Sequence, residues 1–192
     1  MQAREYKKSV PYTAFTLTAR DGLLREILVP IKLKHASVVS IDDKTMIDAN
    51  AIWDTGATHS VISRELANKM SLKPISMSRV NGVHGLKEVP TYTIDLILNN
   101  KIRFDNINVT EGELSPGKVD FLIGMNIIAL GDSSITQYVN KRGQACSVFS
   151  FQYPSTLKSC DYVQKVNQFN AAQLKHIQNQ KNIKRFKKRM KK

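Results

Sequence analysis

Ala51-Ile52-Trp53-Asp54-Thr55-Gly56-Ala57-Thr58-His59-Ser60-Val61-Ile62 decides how the rest of the chain is read. An apolar run ends at an acidic residue, a Thr-Gly pair reverses the chain, and a second apolar pair follows. This order puts one carboxylate on a tight turn directly after a buried strand. No second Asp-Thr-Gly or Asp-Ser-Gly occurs in the sequence. Chemistry that needs a pair of such aspartates therefore needs two copies of the chain.

Upstream of this turn, Ile47, Ala49, Ala51 and Trp53 share one face of the strand that delivers Asp54. Ile27, Val29, Ile31 and Leu33 alternate with Leu28, Pro30, Lys32 and Lys34, a half-buried strand whose proline argues for an edge position. Val10 to Thr18 is rich in Thr, Tyr and Phe and leads into Arg20-Asp21-Gly22, which predicts a hairpin with that strand.

Downstream, Ser63 is placed to cap a brief helix over 64–70, with Leu66 and Met70 on its inner side. Tyr92, Ile94, Leu96 and Leu98 alternate, and Asn99-Asn100 marks a turn. Ile102 and Phe104, then Ile107 and Val109, slip phase by one residue, which predicts a β-bulge at Asp105-Asn106. Val119 to Ile123 reads as a short buried strand, Met125 to Leu130 as one or two helical turns, and 133–139 and 145–151 as two last strands. Many short strands with one or two small helices indicate an all-β, barrel-like domain.

With 192 residues, 42% of them hydrophobic, the chain holds one domain plus extensions. The predicted division is an N-terminal strand or hairpin extension over 1–24, a barrel domain over 25–153 and a basic tail over 154–192. The formal charge of +13 belongs to the tail. Residues 1–157 carry 18 Lys/Arg against 15 Asp/Glu, whereas 158–192 carry 11 against 1. The N-terminus lacks the apolar core of a secretory signal and no stretch is long enough to span a bilayer, so a cytoplasmic location is expected. Cys146 and Cys160, fourteen apart and without Cys-x-x-Cys spacing, are read as thiols.

Three motifs follow in a fixed order: hydrophobic-Asp-Thr-Gly-Ala, the hairpin sequence Asn81-Gly82-Val83-His84-Gly85, and Leu122-Ile123-Gly124 before a short helix. The ordered triplet resembles the retropepsin-like (retroviral-type) aspartic proteases, including stand-alone bacterial members, over about residues 25–140. The resemblance implies an acid-protease barrel and a homodimeric endopeptidase acting on peptide or protein substrates, with one catalytic Asp54 per protomer. It implies supporting roles for Thr55, whose hydroxyl would bond across the dimer axis, and for Gly56 and Gly124. Gly82, Val83, His84 and Gly85 would form a flap over bound peptide, and Ala57 and Leu122 would line its pocket. Two such carboxylates about 3 Å apart cannot both ionise, so they share one proton, as is general for aspartic proteases.

Two positions depart from the family pattern. Trp53 is bulkier than the residue usual before the aspartate, and Met125-Asn126 stands where retroviral enzymes carry an arginine. Other motifs fail on context. Gly112 to Lys118 has phosphate-loop spacing, but Val119 replaces the required Ser/Thr and a strand follows. Ser155-x-x-Lys158 lacks the companion motifs of serine lactamases. His59 and His84 belong to no metal-ligand pattern, so no metal and no cofactor are expected.

The tail leaves three readings open. Lys184, Arg185, Lys187, Lys188, Arg189, Lys191 and Lys192 suit a non-specific nucleic-acid contact, an anionic membrane or acidic partner, or a solvated end. Val163, Val166, Leu174 and Ile177 share one helical face at roughly 100° per residue, whereas Ile183, Phe186 and Met190 fall opposite. One straight helix is therefore not expected there. The alternative to a protease is a weak or inactive module of the same fold that binds peptides or dimerises, held to nucleic acid by this tail. A third expectation is a latent monomer whose extensions cover the dimer axis.

Overall fold

The computed structural model describes residues 12–19, 22–36, 46–82, 85–115, 117–156 and 162–189. The chain divides into two units, Met1–Thr156 and Leu157–Lys192.

In the first unit six strands close into a ring. β2 (Leu28–His35) pairs antiparallel with β3 (Ile47–Trp53), and β3 runs parallel to β8 (Phe121–Ile123). β8 lies antiparallel to β4 (Val61–Ser63), which runs parallel to β7 (Arg103–Gly112). β7 pairs antiparallel with β6 (Gly85–Ile97), and β6 returns to β2. β5 (Ser76–Gly82) pairs only with the first half of β6 and leaves the ring as a hairpin. The interior is filled by the inward residues of these strands, among them Leu33, Ala51, Ile62, Ile94, Leu96, Val109, Phe121 and Ile123. The barrel read from the sequence is present, of the retropepsin type.

A second sheet has the order β1 (Thr13–Ala19), β10 (Ala145–Tyr153), β9 (Asp132–Val139), all antiparallel. The expected hairpin between the N-terminal strand and β2 does not form. β1 pairs with β10 instead, from Thr13↔Tyr153 to Ala19↔Ser147, because Phe15 and Leu17 find an apolar face on Phe149 and Phe151. Arg20 and Asp21 of the predicted turn lie outside the described residues.

Pro30 does not mark a sheet edge, since β2 has neighbours on both sides. Pairing with β6 begins only at Lys32, and Trp53 N–H donates to the Ile27 carbonyl at 3.0 Å. That register turns the nitrogen of Pro30 away from β3, so the strand loses no ladder bond to it. The bulge, in contrast, falls where the phase slip put it. Ile94 faces Ile107 while Leu96 faces Phe104, and Asn106 sits at φ 55° with its N–H held by Asp95 Oδ1 at 2.9 Å.

Helix α1 (Arg64–Lys69) begins at Ser63, whose Oγ accepts from Leu66 N–H at 3.1 Å. Ser63→Ala is expected to cost about 1 kcal/mol, read by chemical denaturation. On the same side, Glu111 accepts from Arg64 Nε at 2.8 Å and from the Tyr92 hydroxyl at 2.7 Å. Burial and the bond to the Glu111 carboxylate push the Tyr92 phenol up to about 12. Burial alone would raise Glu111, but the Arg64 and Tyr92 hydrogen bonds outweigh it and hold the carboxyl below 4.5. The stabilisation from Glu111 is complete above 4.5 and is lost as pH falls through the lowered native value. That from Tyr92 is complete below 10 and is lost as pH rises through about 12. Glu111→Gln should therefore flatten the acid limb of a stability–pH curve and move the phenol titration, followed by absorbance, back towards 10.

The second unit contains one continuous helix, α3 (Tyr162–Arg189), where two segments or a frayed end had been the expectation. Its apolar residues do lie on different sides, and Val163, Val166, Phe169, Leu174, Ile177 and Ile183 are all exposed. Continuity needs no single apolar stripe, because Gln, Lys, Leu and Ala are good helix formers and the segment holds no proline or glycine. Among the described residues no helix is long and apolar enough to cross a membrane.

Candidate active site

Asp54 follows β3 directly, at the point where three strands meet. Its backbone N–H donates to the Ile123 carbonyl at 3.0 Å, continuing the parallel β3–β8 register past Trp53↔Ile123. The chain then reverses through Thr55 and Gly56. Gly56 N–H donates to Asp54 Oδ1 at 2.8 Å, and Ala57 N–H donates to the Asp54 carbonyl at 3.3 Å. A Cβ on Gly56 would lie 3.2 Å from Asp54 Oδ1, so a side chain there would crowd the carboxylate. The Asp54 side chain is fixed by its own turn and half-buried, while Thr55 and Gly56 are exposed.

The floor behind this turn is built by Gly124 and α2 (Met125–Ile128). Met125 N–H donates to the Ala57 carbonyl at 2.8 Å and Asn126 N–H to the Thr58 carbonyl at 3.1 Å. A Cβ on Gly124 would meet the His59 carbonyl oxygen at 2.5 Å and that of Ala57 at 3.0 Å. Only glycine allows the two loops to touch.

Ser60 and Asn126 were not singled out as site residues from the sequence, yet they lock this contact. Fully buried Ser60 Oγ donates to Asn126 Oδ1 at 2.8 Å and accepts from Gly124 N–H at 3.0 Å. The departure from an arginine after Gly124 was the available signal for Asn126. A serine before a β-branched pair gave none.

Trp53 explains its own bulk. Its ring lies 5.0 Å from Phe149 and 4.8 Å from Phe151, and Phe15 adds a third aromatic at 6.1 Å. The residue before the catalytic candidate thus joins the barrel to the second sheet. Its Nε1 is buried and has no hydrogen-bond partner among the described residues.

The remaining sequence candidates are spread around this centre. Leu122 is half-buried on β8, on the strand face opposite Phe121 and Ile123, beside Ile52 and Val61. Gly82 and Gly85 face each other where the β5–β6 hairpin ends. Val83 and His84 lie outside the described residues. His59 is exposed, and among the described residues no group of three His, Cys, Asp or Glu is placed to hold a metal. Cys146 is buried and accepts from Asn140 Nδ2 at 3.5 Å; Cys160 lies outside the described residues. On the tail, Lys184 is exposed on α3, Arg185, Lys187, Lys188 and Arg189 belong to the same helix, and Lys191 and Lys192 lie outside the described residues.

The family model described as aspartyl protease matches residues 38–127, from the β2–β3 connection through the Asp54 turn to α2. This segment belongs to the aspartyl protease family. The protease domain is also similar in fold to solved retropepsin-like structures at low identity. A retropepsin-like aspartic protease from Rickettsia conorii is 13% identical, with a TM-score of 0.42, covering 75% of this chain and 97% of that one. The simian foamy virus (mac) protease is 14% identical, with a TM-score of 0.37, covering 54% and 92%. The EIAV protease complexed with the inhibitor HBY-793 is 14% identical, with a TM-score of 0.40, covering 55% and 86%. No curated protein matches the chain.

Proposed function

We propose that the protein is an aspartic endopeptidase active as a homodimer, each protomer contributing one Asp54. The observation that carries this reading is a half-site. The turn holds and orients a single carboxylate, Gly56 N–H occupies only Oδ1, and no second Asp-Thr-Gly exists in the chain to complete the pair.

On a twofold axis the two Asp54 carboxylates share one proton. The ionised one takes a proton from water as the water oxygen attacks the scissile carbonyl carbon. The protonated one donates to the carbonyl oxygen, giving a neutral gem-diol. Collapse of the diol delivers a proton to the amide nitrogen as the C–N bond breaks, and the shared proton is restored. An extended peptide fits between this floor and the β5–β6 hairpin, Gly82 and Gly85 bringing backbone close to it and Ala57 and Leu122 offering apolar contact.

The test is incubation of purified protein with a peptide library at several pH values, with and without a pepstatin-like or retroviral-protease inhibitor. Inhibitor-sensitive products are expected. Stable peptide binding without products would instead favour the binding module.

A further inference from the structure

We propose that the open edge of β9 pairs antiparallel with β9 of a second copy across a twofold centred on Thr136, joining the two three-stranded sheets into one of six. The proposal rests on the two-copy reading above and names the surface that brings the copies together.

Three free-standing edges exist among the described residues: β1, β5 and β9. They are not equivalent. The β1 edge is covered by the 3₁₀ turn Asn99–Lys101, with the Ala14 carbonyl accepting from Asn100 Nδ2. The β5 edge belongs to a hairpin that carries Arg79. β9, Asp-Ser-Ser-Ile-Thr-Gln-Tyr-Val, has no lysine, proline or bulge, and it follows β10 without a break over eight residue pairs. Long, regular, uncharged edges are templates for another strand, and proteins that keep an edge solitary break it up.

The backbone direction follows from the ladder. Asn140 N–H donates to the Gln144 carbonyl at 2.9 Å, which fixes the alternation: Ser134, Thr136 and Tyr138 bond to β10. Ser133, Ile135, Gln137 and Val139 therefore point their N–H and C=O groups outward. A twofold at Thr136 sets Ile135 against the partner's Gln137 and Ser133 against the partner's Val139, so every outward group gains a mate. Ile135 and Val139 are 61% and 70% exposed in a single chain, although they lie on the sheet face that buries Phe149. A second copy would cover them.

The position suits the half-site. Phe149 is opposite Ile135 across the β10–β9 ladder and lies 5.0 Å from the ring of Trp53, the neighbour of Asp54. One strand and one aromatic ring separate the proposed seam from the catalytic turn.

At a Thr136-centred seam the two Thr136 residues form a non-hydrogen-bonded pair with Cα atoms about 4.5 Å apart, within disulfide range. Thr136→Cys should therefore give a reducible covalent dimer on mild oxidation, against a wild-type control for Cys146 and Cys160. Thr136→Lys, which opposes two ammonium groups, should raise the dimer dissociation constant at least tenfold in sedimentation, with monomer circular dichroism unchanged. A wild-type dimer that Thr136→Cys does not cross-link and Thr136→Lys does not loosen overturns the β9 seam while leaving the protease reading intact. A wild-type chain that stays monomeric at high concentration, yet cleaves peptides, overturns both.

Discussion

Asp54→Asn is expected to lower peptide hydrolysis by about 10⁴-fold or more while leaving thermal unfolding nearly unchanged. The amide keeps an oxygen that can accept the 2.8 Å bond from Gly56 N–H, so the turn retains its internal restraint. It loses the ability to exchange a proton, and a homodimer loses both members of the pair with one substitution. Rates should be measured on protein free of host proteases, with the unfolding midpoint recorded in parallel. Undiminished cleavage by the folded variant would remove Asp54 from the mechanism.

Gly124→Ala is expected to destabilise the first unit by about 3 kcal/mol and lower the midpoint by roughly 6–12 °C. The added carbon would sit 2.5 Å from the His59 carbonyl oxygen, 2.6 Å from the carbon behind it and 3.0 Å from the Ala57 carbonyl oxygen. All three are main-chain atoms, and no rotamer can relieve the overlap. The loop 57–59 must retreat, which stretches the Met125-to-Ala57 and Asn126-to-Thr58 bonds and tilts the Asp54 turn. Activity should fall further than the folded fraction does. A variant as stable as wild type would show that the two loops are not in contact.

The sequence revealed those parts of the fold that are local. The strand before Asp54, the Ser63 cap and the bulge at Asp105-Asn106 were legible because each depends on alternation, a cap or a phase slip within ten residues. What it hid was pairing at a distance. The β1–β10 partnership joins residues more than 120 apart, and nothing within 10–18 reports which strand will receive Phe15. Pro30 misled for a related reason. The rule against interior prolines concerns hydrogen bonds, and β2 acquires its second neighbour only beyond that position. At the candidate site, the turn residues Asp54, Thr55 and Gly56 carry their chemistry in their names. Ser60 does not, because a serine that cross-links two loops looks like any other serine. The tail failed differently: an apolar stripe is evidence for packing, and α3 is helical without one.

Because β10 contributes Phe149 and Phe151 to the ring of aromatics around Trp53, the support beneath the Asp54 turn is supplied almost last during synthesis. A nascent chain that has emerged through residue 140 already holds all six ring strands, but Trp53 and Phe15 have nothing to stack on. Such late, long-range closure slows folding. On the ribosome it postpones the finished working surface until the protein is nearly complete, which spares neighbouring nascent chains from a hydrolase maturing beside them.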